Sequence, residues 1–111
     1  MIVRRWRGAV RPEDADAYLQ HQRRTGVHEY RSTPGNRGVF ALHRPVGNLV
    51  EVVTISLWDS MDAVRRFAGD RPEIAMFYPG DDELLVERDS FAEHHEVADL
   101  DLDPALLDGH A

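Results

Sequence analysis

Between Asn48 and Gly69 the chain reads NLVEVVTISLWDSMDAVRRFAG, a β-prone run that turns at Trp58-Asp59-Ser60 into an amphipathic helix. This stretch limits the fold more than any other. Residues 49–58 are apolar on both faces, with Leu49, Val53, Ile55 and Leu57 on one and Val50, Val52 and Trp58 on the other. A strand with one wet face alternates apolar and polar residues more cleanly, so both faces of its sheet are expected to be covered. Asp59 or Ser60 caps the helix that follows. With Asp59 as the cap, Trp58 packs on Ala63 as a hydrophobic staple. Val64, Phe67 and Ala68 carry the buried stripe onward, and Gly69-Asp70 breaks it. A large aromatic at a strand-to-helix joint also points to a small-molecule pocket there.

The other elements follow from periodicity and breakers. Residues 2–10 read as a strand with Arg4, Arg5 and Arg7 around Trp6. Pro12 opens a helix, and Glu13, Asp14 and Asp16 suit the positive end of its dipole. Ala15, Tyr18, Leu19 and Gln22 form its apolar stripe, which continues through Gly26, Val27 and Tyr30. The cluster Ser32-Thr33-Pro34-Gly35-Asn36 ends it. Residues 37–44 form a second strand, and Pro45-Val46-Gly47-Asn48 turns the hairpin into the third. After the second helix, Pro72 starts a short turn through Ile74, Ala75 and Phe77, and Tyr78 to Asp82 is a loop. Residues 84–88 make a fourth strand and residues 91–97 one more short extended piece. The order βαββαβ is the ferredoxin-like unit, an α+β fold with an antiparallel sheet and helices on one face. Its other face needs a cover, and a second copy of the chain in a symmetric homodimer supplies one.

Composition removes several function classes. A chain of 111 residues suits one domain, read as residues 1–98 with an acidic C-terminal tail over 99–111. The absence of cysteine excludes disulfides, thiolate nucleophiles, iron–sulfur clusters and cysteine zinc sites. All 13 basic residues are arginine, so a lysine Schiff base or P-loop is excluded too. Residues 1–80 hold 12 arginines against 9 acids, whereas residues 81–111 hold 1 against 11. The net charge of −7 argues against a nucleic-acid partner. Apolar runs fall far short of the roughly 20 residues a membrane helix needs. MIVRRWRGAV has no signal-peptide core, so a cytoplasmic protein is expected. The tail, DLDLDPALLDGHA, reads either as a solvated terminus or as a short docking segment.

Over about residues 1–98 the chain resembles the dimeric α+β barrel superfamily, and within it the antibiotic biosynthesis monooxygenase-like domains. The resemblance is carried by the strand bearing Trp6, by Thr33-Pro34-Gly35-Asn36-Arg37-Gly38 and by Ser56-Leu57-Trp58-Asp59-Ser60. Phe67-Ala68-Gly69 and His94-His95-Glu96-Val97 add to it. It implies a dimeric α+β barrel and a small-molecule enzyme. Some members oxidise polycyclic phenols with O₂ and no metal or flavin, the substrate carbanion serving as reductant. Their pocket places a Trp where Trp58 stands, with an Asn at the place of Thr54 and a Tyr at the place of Val64. The Trp carries over and its polar partners do not. Haem-degrading members place an axial His where Ala68 stands, and neither Phe67 nor Gly69 can replace it. On this count haem degradation is not expected, and no cofactor is.

Six histidines are available for acid–base work: His21, His28, His43, His94, His95 and His110. Tyr18, His21, Thr25 and His28 share one helix stripe, which reads either as a base beside a phenol or as a polar edge facing water. His94 and His95 are neighbours on an extended segment and point to opposite faces. The resemblance favours His94 as the one that enters a pocket, the other reading being a hydrogen bond across the dimer. No metal-ligand spacing of the HxH or HExxH type occurs. The expected site is therefore His94 and His21 as catalytic residues, with Trp6, Tyr18, Trp58, Phe77 and Tyr78 around an aromatic ligand and no metal. The expected activity is a cofactor-independent, monooxygenase-like conversion of an aromatic or polyketide-like compound through histidine-assisted proton abstraction. A non-catalytic binding dimer and an isomerase or cyclase are the alternatives.

Overall fold

The alternation along the first strand decides which side of the molecule becomes the core. In the computed structural model, which describes residues 1–108, β1 (Ile2–Val10) turns Ile2, Arg4, Trp6 and Val10 toward the helices, where all four are buried. It pairs antiparallel with β3 (Leu49–Trp58), placing Ile2 opposite Trp58, Arg4 opposite Ser56 and Trp6 opposite Thr54. β2 (Asn36–Val46) pairs with the outer side of β3 through a two-residue turn at Gly47 and Asn48, so the hairpin strand runs two residues beyond the expected 37–44. The far edge is built in two pieces. β4 (Leu85–Arg88) pairs with the end of β1, and β5 (Glu93–Glu96) with its start. The sheet runs β2-β3-β1-β4, with β5 beside β1 and every pair antiparallel. This is the ferredoxin-like α+β arrangement, with the helices on one face.

The first helical stretch is one path in three parts: α1 (Ala15–Gln22), a π-helical turn over Arg23–Val27, and α2 (His28–Ser32). Its buried residues are Tyr18, Gln22, Gly26 and Tyr30, spaced four apart. At 3.6 residues per turn, a spacing of four drifts by about 40° at each step. The wider π turn takes up that drift and keeps the stripe on the sheet.

α3 (Met61–Ala68) begins at Ser60, whose Oγ accepts from the Ala63 backbone N–H at 3.2 Å. Ser60 is thus the cap, and the staple geometry that needs Asp59 in that place does not form. Asp59 instead accepts two hydrogen bonds from Arg37, at 2.7 and 2.9 Å. Trp58, Ala63 and Val64 still share one core cluster with Ile2 and Tyr30. Gly35 is required behind this joint. Its φ is +92°, its carbonyl accepts from the Asp59 N–H at 2.9 Å, and a Cβ there would lie 2.5 Å from that of Ala63.

α4 (Asp81–Leu84) is a helical turn where a loop and the start of the fourth strand were expected. The acids Asp81, Asp82 and Glu83 suit the first turn of a helix more than an open loop. Residues 99–107 are exposed, and a short turn, α5 (Ala105–Asp108), follows Pro104. His110 lies outside the described residues. Among the described residues no helix is long and apolar enough to cross a membrane.

Candidate functional site

A cavity with several polar groups in its wall lies between β1, the helical stretch and the segment before α4. β1 contributes Arg4 and Trp6, and the helical stretch contributes Tyr18, Gln22, Thr25, Gly26 and Tyr30. Met76, Tyr78 and Asp81 close it. Its volume is about 30 Å³. The π-helical turn meets the cavity through Thr25 and Gly26, and such turns often mark functional positions.

Three buried polar atoms of this lining have no hydrogen-bond partner: Arg4 Nε, Gln22 Oε1 and the Tyr78 hydroxyl. Buried polar groups are usually paired, so three orphans around one cavity call for an explanation. Each is held in place by its neighbours. Gln22 Nε2 donates to Thr54 Oγ1 at 2.7 Å, which leaves Oε1 free. Arg4 is 2% exposed, and its Nη atoms donate to the carbonyls of Pro72 and Ile74. The Arg4 pKa is lowered, chiefly by burial. Burial likewise raises the pKa of Tyr18, Tyr30 and Tyr78, so the three phenols stay protonated.

His94 lies opposite Arg4 in register, as a residue on the helix-facing side of β5 must. Its Nε2 accepts from Arg4 Nη1 at 3.0 Å. That bond assigns the imidazole proton to Nδ1. Burial first, and the Arg4 charge second, push the His94 pKa down. The imidazole therefore backs Arg4 from outside the cavity lining. His95 falls opposite Val3, on the other face.

His21 is tied elsewhere. Its Nε2 lies 2.7 Å from Asp81 Oδ1, and Asp81 Oδ2 accepts the Tyr78 backbone N–H at 2.8 Å. Asp81 is 6% exposed and lines the cavity, so the His21–Asp81 pair borders it through the carboxylate. Gly80 precedes Asp81 at φ +98°, and a Cβ there would come 3.0 Å from the His21 ring. A left-handed residue without a side chain is what lets this loop close on the histidine.

Of the aromatic residues expected around a ligand, the cavity gathers Trp6, Tyr18 and Tyr78. Trp58 stands apart. It is 0% exposed, its indole N–H donates to Ser56 Oγ at 2.8 Å, and its ring packs against Tyr30 and Phe67. Phe77 sits outside, edge-on to Trp6 at 6.2 Å and beneath the Arg88 guanidinium at 4.9 Å. His28 is exposed. Arg4, Gln22, Tyr30 and Asp81 are among the lining residues that the sequence does not single out as a site. An arginine between Ile2 and Trp6 on the inward register of a strand was the available signal. Arg7 points to the opposite face, where it pairs with Glu51 at 2.7 Å and Glu87 at 3.3 Å of the same chain. Among the described residues no three His, Asp or Glu side chains group as a metal site.

No family model matches the chain, and no curated protein does. Solved structures do. A Bacillus cereus protein assigned by name to the antibiotic biosynthesis monooxygenases aligns over 92% of this chain and 95% of its own, with a TM-score of 0.63 and 14% identity. A NIPSNAP-like domain protein from Burkholderia xenovorans aligns over 93% and 91%, with a TM-score of 0.58 and 21% identity. The heme-degrader MhuD from Mycobacterium tuberculosis, with two hemes bound, aligns over 93% and 100%, with a TM-score of 0.57 and 19% identity. Identities this low speak to backbone architecture. The strand order, the single helical face and these matches agree: the chain has the ferredoxin-like α+β fold that these solved structures share.

Proposed function

We propose that this chain is a small-molecule enzyme of the cofactor-independent, monooxygenase-like kind, taking a proton from an aromatic or polyketide-like substrate with the help of a histidine. The observation that carries the reading is the cavity in which a buried guanidinium, protonated phenols and a histidine-backed carboxylate meet. Such a set suits an enol or phenol, whose oxygen becomes negative as its proton leaves. Of the two candidate histidines, His21 is the better placed for transfer. Asp81 reaches the cavity, accepts the substrate proton and shares it with His21 across their 2.7 Å contact. His94 has its Nε2 committed to Arg4 and serves as a positioning residue for that guanidinium. The substrate carbanion then reduces O₂ and bonds to it as a hydroperoxide, which loses water to leave a carbonyl (CH₂ + O₂ → C=O + H₂O), a reaction that needs no bound metal or flavin.

Haem is not a fitting ligand. Ala68 stands where the resemblance would place an axial histidine, between Phe67 and Gly69. His94 already uses its free lone pair on Arg4. The reading includes a homodimer, in which the sheet face bearing exposed Phe40, Leu42 and Val46 is covered by a second copy.

The test is oxygen uptake with a polycyclic hydroxyanthrone, comparing the protein with Asp81→Asn and His21→Ala. Turnover that falls at least about a hundredfold in both variants supports the reading, since a positioned base contributes that much or more. Turnover unchanged in both would sink it. Product formed equally without oxygen would transfer the site to isomerase or cyclase chemistry. The small volume of the cavity favours one second reading, a binding module without turnover, for which a ligand recovered unchanged would be the sign.

A further inference from the structure

We infer that the cavity binds the oxyanion of a small organic acid, a carboxylate or an enolate, with Arg4 as its counter-charge. The inference deepens the reading above and rests on the same cavity, but it does not require turnover.

The argument starts from an imbalance. A guanidinium stays charged in a protein, and burying a charge without a partner is costly. Arg4 is 2% exposed and, among the described residues, forms no ion pair. Its Nη atoms are satisfied by neutral acceptors: two backbone carbonyls and the His94 ring. Nε has no acceptor at all. Elsewhere arginines meet carboxylates, with Arg7 and Arg44 sharing Glu51 and Arg37 holding Asp59 through two bonds, or keep contact with water, as Arg5, Arg23, Arg24, Arg31 and Arg66 do. Acids are abundant in this sequence, yet the groups around Arg4 are neutral, the Phe67 ring 5.6 Å from its guanidinium carbon included, and a buried cation without a carboxylate marks a place for an anion that comes from outside.

The other two orphans define the shape of that anion. The Tyr78 hydroxyl can donate to an oxyanion, as Arg4 Nε does. Gln22 Oε1 can only accept, so it calls for a hydroxyl hydrogen beside the charged oxygen. Asp81 also lines the cavity; each of its oxygens already meets one group, His21 or the Tyr78 N–H, and keeps a second lone pair for a proton of the ligand. A volume of about 30 Å³ holds about two water molecules, or a carboxylate or enolate head, and leaves the ring that bears it at the mouth. The body of the ligand must therefore leave past Met76, which is 42% exposed. Carboxylates and enolates with a neighbouring hydroxyl meet all of these demands.

The experiment is isothermal titration of the full chain at neutral pH with salicylate, with salicylamide as its neutral counterpart, and with 2-hydroxycyclohexane-1,3-dione, a dione whose enolate carries a neighbouring hydroxyl. Salicylate is expected to bind at least about tenfold more tightly than salicylamide, the ratio a charge-assisted bond supplies. That preference is expected to vanish in Arg4→Gln. Tyr78→Phe, a smaller change at the rim, is expected to weaken salicylate several-fold and leave salicylamide alone, which keeps the test decisive if Arg4→Gln does not fold. Tighter binding of the dione than of salicylate assigns the site to enolates, and the reverse to carboxylates. Equal affinity for salicylate and salicylamide would overturn the inference. So would a preference that survives the loss of Arg4, or a crystal structure in which a single buried water joins all three orphans while salicylate lies elsewhere. These measurements involve no oxygen and no turnover, so a failed oxygenase assay leaves them standing, and their failure leaves acid–base chemistry at Asp81 untouched.

Discussion

Arg4 Nη1 donates to His94 Nε2 across 3.0 Å, joining the start of the chain to its last strand and fixing the histidine in its neutral form. The bond couples stability to pH. His94 has a folded pKa below its ordinary value, because burial and then the Arg4 charge disfavour the imidazolium. Between the folded and unfolded values the unfolded chain binds more protons, so stability rises with pH across that window. The contribution is complete above about pH 6.5 and is lost as pH falls through the folded pKa. Thermal melts from pH 7.5 to pH 5 should show a falling Tm that is flatter in His94→Gln, which keeps an acceptor and cannot charge. Parallel curves would show that His94 is not the titrating group.

Trp58 and Ser56 lie two residues apart on the same side of β3, and the hydroxyl of one satisfies the indole of the other at 2.8 Å. Both are fully buried, so no water can replace a lost partner. Ser56→Ala should cost about 1–3 kcal/mol, the penalty of an orphaned buried donor. Urea unfolding followed by tryptophan fluorescence would read it as a lower midpoint at unchanged m-value. A midpoint equal to that of the parent would mean that the indole finds another acceptor.

These contacts explain which parts of the molecule can be read before the structure is seen. The two-faced apolar run at 49–58 and the four-residue spacing of Tyr18, Gln22, Gly26 and Tyr30 are periodic, and periodicity reports the sheet face and helix stripe directly. The site is not periodic. Trp58 has the position of a pocket residue, but its indole is consumed locally by Ser56, a pairing between side chains that spacing alone does not reveal. Arg4 becomes notable only once Pro72, Ile74 and His94, distant in sequence, are seen to surround it with neutral acceptors. The His21–Asp81 pair spans 60 positions and depends on the backbone turn at Gly80.

Gly35 offers a sharper test of the joint between β2 and α3. An alanine there would combine a left-handed φ of +92° with a Cβ 2.5 Å from that of Ala63. Strained backbone positions cost about 1–3 kcal/mol each, and the clash adds to this. Gly35→Ala should therefore lower stability by at least about 2 kcal/mol, whereas Gly47→Ala, with open space around it, should cost less. Equal losses in the two would show that backbone conformation alone, and not the approach to α3, is responsible.

The sheet face away from the helices bears Phe40, Leu42 and Val46, which are 45%, 50% and 40% exposed, and Val53, Ile55 and Leu57 lie half-buried beside them. At one end of this face Glu51 binds Arg7 and Arg44 at 2.7 and 2.8 Å. The Arg44 and then the Arg7 hydrogen bonds lower the Glu51 pKa to about 2, so the carboxylate remains charged at any working pH. Charges already paired within one chain cost less to bring into an interface than unpaired ones. The face is thus an apolar patch with its ionic groups satisfied internally, the form expected of a surface that meets its own copy. Light scattering after size exclusion should give a dimer mass for the parent chain. In Leu42→Glu each copy would bring an unpaired carboxylate into the apolar interface, and the mass should fall to that of a monomer with the circular dichroism spectrum unchanged. A parent chain that is monomeric at micromolar concentration, or a Leu42→Glu dimer as tight as the parent, would remove this face from the assembly.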